Sequence, residues 1–600
     1  MADAIRIANC SGYFGDRISA AREMVDGGPI DVLTGDWLAE LTMLILAKIR
    51  AKRPGGGYAG TFVTQMEQVM GTCLDRGIKV VSNAGGLDPA GCAEALSGVA
   101  AKLGLDPVIA YGDGDDLSPR LEELVASGTM RVFGANGTDG GPIEAGLASR
   151  FLTANAYLGC WGIVDALSAG ADIVVTGRVT DAAVVCGPAA WHHGWARDDW
   201  NALAGAVAAG HVIECGAQAT GGNYSFFHEI DGYDRPGAGA RFGFPWAEVA
   251  SDGSSLIGKH DGTGGAVTVG TVTSQLLYEI GGPRYFGPDV TARFDALRLE
   301  QVERDRVRMS GAAGEPPPTT LKVATNLSGG YRNSVVVALT GLDIEAKARF
   351  VEATFWDACP VAREDFDEVS IALSRTDHDD PDSNDRATAK LTITVKDRDA
   401  AKVGRAFSDA VIQTALSSIP GFHALSGAPG GGNQFGVYLP ATVPAIEVPQ
   451  HVHLGGDDRE IPSVAPVAGS SEQLPDEPGT ASALATVSTT RVPLGTVVGA
   501  RSGDKGGDAN LGVFARTDAG WAWLDEFLTV ARLAELLPEA ATLPIRRYRF
   551  PNLRSLNFVI EGLLGDGVAA STRPDAQAKS LGEWLRARQV DVPDEVLAAS

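Results

Sequence analysis

Over the first third of the chain, short apolar runs alternate with helix-length stretches. Each run breaks into glycine and small polar residues. Residues 4–9 end in Cys10-Ser-Gly-Tyr-Phe-Gly-Asp16, 30–33 in Thr34-Gly-Asp36, 79–83 in Ala84-Gly-Gly-Leu-Asp88, and 107–111 in Gly-Asp-Gly-Asp-Asp116. Helical patterns at 19–25, 38–51 and 89–103 separate them. This alternation predicts βαβ units and a Rossmann-like parallel sheet in an α/β fold. Residues 171–181 give the fullest version: an apolar strand (173–175), the turn Thr176-Gly-Arg-Val-Thr-Asp181, and an apolar helix start at 182–186. Such units place side chains outside the carboxyl end of a sheet, where a helix N-terminus adds positive potential. Ser11, Asp36, Asn83, Asp113, Arg178 and Asp181 are therefore expected on one rim. Each alone is ordinary turn chemistry; the shared edge makes them candidates.

Residues 131–133 pattern as a further strand, and 143–167 as a helical stretch. Trp191-His-His-Gly-Trp195 can line a pocket, though a helix end packing its tryptophans is the plainer reading. Residues 202–210 form a small-residue helix of a kind suited to close subunit packing. A second polar glycine stretch follows: His211-Val-Ile-Glu214-Cys215-Gly216-Ala-Gln218-Ala-Thr-Gly221-Gly222-Asn223. Glu214 can serve as a general acid or base if burial raises its pKa. Cys215 needs a nearby cation to be a nucleophile, and reads more simply as a small buried group. Lys259, before Asp261-Gly-Thr-Gly-Gly265, can hold an anion or sit solvated.

Beyond about residue 320 the order of strands and helices becomes mixed, as in a split βαβ sandwich. His451 and His453 share one face of a strand, half of a metal site without further ligands beside it. Residues 455–490, rich in Pro, Ser and acids, read as a linker. The tail carries a small α+β pattern and the run R-S-G-D-K-G-G-D-A-N (Arg501 to Asn510), the densest polar glycine loop, read as a ligand loop. The expected division is a core at 1–318, an α+β sandwich at 319–454, the linker at 455–490 and a tail domain at 491–600.

Composition narrows the function. With 44% hydrophobic and 21% charged residues the chain is globular, and a net charge of −25 leaves no basic stripe for nucleic acid. Seven scattered cysteines without CxxC pairs fit a reducing compartment. The start lacks a signal-peptide pattern and no apolar run reaches a membrane span, so a cytoplasmic location is expected. Gly12-Tyr-Phe-Gly15 does not meet G-x-G-x-x-G, and no P-loop occurs, so neither a nucleotide cofactor nor a metal is expected.

The motifs T-G-R-V-T-D (Thr176 to Asp181), E-C-G-A-Q-A-T-G-G (Glu214 to Gly222), Q-L-L-Y-E-I (Gln275 to Ile280), T-L-K-V (Thr320 to Val323) and G-G-Y-R (Gly329 to Arg332) resemble the acyclic terpene utilisation AtuA family. R-S-G-D-K-G-G-D-A-N-L-G (Arg501 to Gly512) and P-N-L-R-S-L-N-F-V-I (Pro551 to Ile560) resemble that family's ferredoxin-like C-terminal domain. The resemblance implies a place in the breakdown of branched acyl chains as coenzyme A thioesters, and carries no residue roles. Those come from the residues here. Glu214 is the expected acid/base, assisted by Asp181. Arg178 and the Gly221 and Gly222 amides hold an oxyanion or carboxylate. Ser11, Asp36, Asn83, Gln218, Asn223 and Lys259 line the pocket. Asp504, Lys505, Asp508 and Asn510 cover it from the tail. The expected activity is a cofactor-independent hydratase or lyase acting on a small acyl-CoA or carboxylate, in a homo-oligomer without nucleic-acid or membrane partners. The alternatives are a nucleotide-dependent acyl-CoA enzyme and a non-catalytic subunit of a carboxylase or dehydrogenase assembly.

Overall fold

Five of the apolar runs become parallel strands. They are β1 (Ile5–Asn9), β2 (Val32–Gly35), β3 (Lys79–Ser82), β4 (Ile109–Asp113) and β5 (Ile173–Thr176), side by side in the order β1-β2-β3-β5-β4. The structure is a computed structural model describing residues 4–53, 55–134, 139–425, 430–465, 467–475 and 488–599. Its contacts separate two units, one of residues 1–326, 438–568 and 575–600, the other of 327–437 and 569–574.

In the first unit the parallel strands sit at the middle of an eleven-stranded mixed sheet. Antiparallel strands extend it on both sides, Pro245–Val249 against β1 and Gln450–Leu454 against β4. Neighbouring residues of the parallel strands enter different cores. Val32, Val81 and Val174 pack on one face with the helices Trp161–Ser168, Ala183–His193 and Trp200–Ile213. Leu33, Val80, Ile173 and Val175 pack on the other, with Ala20–Gly27, Gly60–Arg76 and Pro89–Leu103. Burial on both faces is why these strands read as unbroken apolar runs rather than alternating ones.

Four stretches differ from the sequence reading. Residues 143–167 are not one helix: the strand Phe151–Ala156 lies between a 3-10 turn and the helix Trp161–Ser168. Just beyond it, the Tyr157 amide donates to Lys322 O at 2.8 Å, a non-local bond that a local pattern does not carry. Within the stretch expected as linker, Asp457–Ile461 is a strand on Gln450–Leu454, and Gln473 accepts a bond from the Arg284 amide at 3.1 Å; residues 476–487 lie outside the described residues. The small-residue helix Trp200–Ile213 is buried inside this unit rather than displayed for a second subunit. The Arg501 to Asn510 run is not a loop. It is a hairpin, Val498–Lys505 and Asp508–Ala515, turning on Gly506-Gly507, with φ +67° at Gly506.

That hairpin belongs to a four-stranded antiparallel sheet with Ser555–Ile560 and Ile545–Phe550. Leu511, Val513 and Phe558 face the tail's own core with Trp523 and Leu533. Phe514, Tyr548, Phe550 and Val559 face the other way and join the core of the large sheet.

The second unit has its own core. Tyr331–Thr340 pairs with Thr388–Asp397, which pairs with Glu368–Ser374. The helices Ile344–Ala358 and Phe407–Gln413 cover this sheet through Val351, Phe355 and Phe407. Among the described residues no helix is long and apolar enough to cross a membrane.

Candidate functional site

Where β1, β2, β3 and β5 end, their polar turns meet. Asp36 follows β2, Asn83 follows β3, and Arg178 and Asp181 follow β5. Glu214 arrives from the C-terminus of the helix Trp200–Ile213. Asp36, Asp181 and Glu214 each offer an oxygen, and these oxygens lie within 4.8 Å of one another. Asp36 is 7% exposed, Glu214 5% and Arg178 2%, whereas the Asp181 side chain is 31% exposed. The site is therefore a largely buried acidic centre, with Asp181 its most exposed carboxylate.

Short local bonds fix each group. Asn83 donates to Asp36 and accepts from the Trp37 amide at 2.9 Å, so the ends of β2 and β3 are tied together. The guanidinium of Arg178 donates to Asp181 and to Leu38 O, and lies 4.2 Å over the Tyr157 ring. Asp115, just after β4, accepts from the Arg178 amide at 2.9 Å and from Asn155 at 2.7 Å. Asn9, at the end of β1, donates to Glu214 O at 3.1 Å and to Ser11 O at 3.0 Å. Gly12 lets the first turn pass against the Cys215 backbone, since a Cβ there would lie 2.7 Å from the Cys215 carbonyl carbon.

One guanidinium cannot balance three clustered carboxylates, two of them buried. At an effective dielectric of ~20, like charges ~5 Å apart repel by about 3 kcal/mol. Burial, then the charge of Asp181, raises Asp36 to about 6. Burial, then Asp181 and Asp36, push Glu214 well above the carboxylate range. Burial opposes the charge on Arg178, but Asp181 and Asp36 outweigh it and keep the guanidinium protonated. His211, one helical turn before Glu214, is lowered to about 3 by burial and by Lys505, so its imidazole is neutral. Its Nδ1 lies 3.6 Å from Glu214 Oε1. Burial, then Glu214, raises the Cys215 thiol, which suits a protonated, half-buried thiol and not a thiolate nucleophile.

The other candidates divide. Ser11 is buried beside the site, its hydroxyl bonded to Tyr13 O. Gln218 accepts from Arg501 of the tail. The Gly221 and Gly222 amides donate within their own turn, to Gln218 O and Ala217 O, so they are engaged and do not form an oxyanion hole. Asn223, at φ +57°, closes that turn in the left-handed region. Lys259 is buried in an ion pair with Asp305 at 3.2 Å and donates to Thr263 O, so it does not hold a substrate anion. Asp113 turns away from the rim to His453, at 3.2 Å, and His453 stacks on Tyr111. In the tail, Asp508 accepts from the Gly562 amide at 2.8 Å, and Asp504 lies 3.9 Å from Lys579. Lys505 donates to Glu279 O, and Asn510 accepts from the Glu279 amide at 2.7 Å. Lys505 and Asn510 are thus hairpin groups that grip residue 279, not a covering loop.

Sequence reasoning gave no role of their own to His211, Asp115, Tyr157, Glu279 and Arg501. His211 carried a usable signal: a histidine three residues before Glu214 on one helix shares its face. Asp115 stood in the acidic run after β4, two positions beyond Asp113, the residue chosen. Tyr157 had no local signature, and Glu279 lay in the Gln275 to Ile280 motif with nothing to mark it as a site group.

A mixed α/β protein with a buried acidic centre and a fused tail sheet is the class these features define. The family described as "Acyclic terpene utilisation family protein AtuA" matches residues 5–454, and the "AtuA ferredoxin-like domain" matches residues 492–591. The chain belongs to the AtuA family and carries that ferredoxin-like domain. No curated protein and no solved structure matches it.

Proposed function

We propose that this chain is an enzyme acting on a branched or terpenoid acyl-CoA, or a related carboxylic acid, as a hydratase or lyase. The observation that carries this reading is the convergence of Asp36, Asp181 and Glu214 on Arg178, at the carboxyl edge of strands we read as a Rossmann-like core. Removing water beside a thioester carbonyl takes a proton from the α-carbon and gives one to the departing hydroxyl; adding water takes a proton from the water and gives one to the α-carbon. Both also develop negative charge on the carbonyl oxygen. The carboxylates serve the proton transfers and Arg178 serves the charge. Glu214, the most enclosed carboxylate, is the principal acid/base, and the more open Asp181 stands at the entrance. The family description, which names terpene utilisation, supports a branched or terpenoid substrate; its acyl-CoA form is part of this proposal.

The test is a panel of short and branched acyl-CoAs, followed by mass spectrometry for gain or loss of one water. Conversion of at least one member is expected, and Glu214→Gln should lower kcat by about a hundredfold or more with unchanged melting. A panel with no conversion, or full activity in Glu214→Gln, would reject the reading.

A further inference from the structure

We infer that Asp36, Asp181 and Glu214 together bind one divalent cation of the hard, oxygen-preferring class, Mg2+ or Mn2+. Three carboxylates from three separate turns present oxygens within 4.8 Å of one another. Ionised together, the three carboxylates would carry −3 against the +1 of Arg178, and one divalent cation balances the difference. An all-oxygen donor set of this kind suits Mg2+ or Mn2+ better than the softer metals.

A second observation stands apart from the clustering. Glu214 Oε2 is buried without a hydrogen-bond partner, in a residue 5% exposed. His211 Nδ1 is aimed at Glu214 Oε1 from 3.6 Å. Buried polar atoms are rarely left unmatched, and an unmatched carboxylate oxygen beside two other carboxylates is the arrangement a cation completes. Supporting groups also hold two of the ligands in place. Asp36 is oriented by Asn83 and by the Leu38 amide at 2.9 Å, Asp181 is oriented by Arg178, and the Asp181 side chain is part-exposed.

This inference rests on reading the carboxylate trio as the reactive centre, and it adds Lewis-acid polarisation of a carbonyl oxygen to what Arg178 supplies.

The test uses the full-length protein, stripped with a chelator and titrated with MnCl2, with free Mn2+ read by electron paramagnetic resonance and melting followed in parallel. The expected result is one Mn2+ per chain and a higher Tm on binding. Asp181→Asn, at the part-exposed position, and the isosteric Glu214→Gln should each weaken binding by about tenfold or more while melting as cooperatively as wild type. Absence of saturable Mn2+ binding by folded wild-type protein overturns the inference. So does unchanged affinity in both variants. The two proposals separate on the acyl-CoA panel. Full turnover by chelated protein removes the cation and keeps the enzyme. Stoichiometric Mn2+ binding with no acyl-CoA converted keeps the cation site and removes the acyl-CoA reading.

Discussion

Asp289 shows how a single buried carboxylate sets a pH response. It is 4% exposed, and both its oxygens accept from the Cys160 amide, at 3.0 and 2.9 Å. Burial raises it to about 6, against the pull of that amide and of Arg197. Between the unfolded value near 3.8 and the folded value near 6, the native state binds more protons than the unfolded one. Stability from this group is therefore fully present below the unfolded pKa and is lost as pH rises through the folded one. Asp289→Asn keeps an acceptor for Cys160 and removes the titration. The difference in unfolding free energy, wild type minus variant, should fall by about 1–3 kcal/mol between pH ~4 and ~7. A difference flat with pH would show that Asp289 does not titrate in this window. At this same scale, the site was legible where a residue follows an apolar run. Asp36, Asn83, Arg178 and Asp181 were found because a parallel strand exposes its last turn. Tyr157 and Glu279 were not, because only tertiary folding brings them near.

At the scale of elements, small residues had two meanings that the sequence could not separate. The helix Trp200–Ile213 is rich in alanine and glycine, as a subunit interface would be, yet every residue from Ala202 to Ile213 is buried. A Cβ on Gly205 would lie 2.1 Å from Gly253 O, and one on Gly210 would lie 2.8 Å from the Ala182 Cα. The composition thus answers close packing against the chain's own backbone. Gly205→Val should cost several kcal/mol, about 3 or more, because neither backbone can move aside without disturbing the sheet. A large fall in Tm or loss of soluble protein is the expected reading. Retained Tm with a change of oligomeric mass would restore the subunit-packing interpretation. The polar glycine hairpin in the tail failed in the opposite sense. Its glycines were taken as loop freedom, but Gly512 and Gly503 are narrow points in strands. A Cβ at Gly512 would lie 2.5 Å from Leu277, and one at Gly503 2.7 Å from Tyr278. Glycine within a strand marks close approach as often as it marks a turn, and the identity of the approaching surface is not local information.

At the scale of the first unit, the tail sheet closes on the segment Gln275 to Ile280 and through it on the acidic centre. Glu279 sits at φ +55°, a left-handed conformation that a non-glycine residue adopts only under constraint. The constraint comes from the tail. Asn510 accepts from the Glu279 amide, Lys505 donates to Glu279 O, and Asn557 donates to Ile280 O at 3.2 Å. Asn510 and Asn557 are both fully buried and bonded to each other, so neither has water as a substitute partner. Asn510→Ala removes the acceptor, leaves the Glu279 amide buried and unmatched at a cost of about 1–3 kcal/mol, and frees residue 279 to relax. The charge of Glu279 contributes to holding the Glu214 carboxyl up, so its displacement reaches the reactive centre. Tm should fall by a few degrees and turnover of any converted acyl-CoA by about tenfold, the equivalent of ~1.4 kcal/mol in the barrier. A lower Tm with unchanged turnover would make the ferredoxin-like domain a support for the fold alone, with no part in positioning the site.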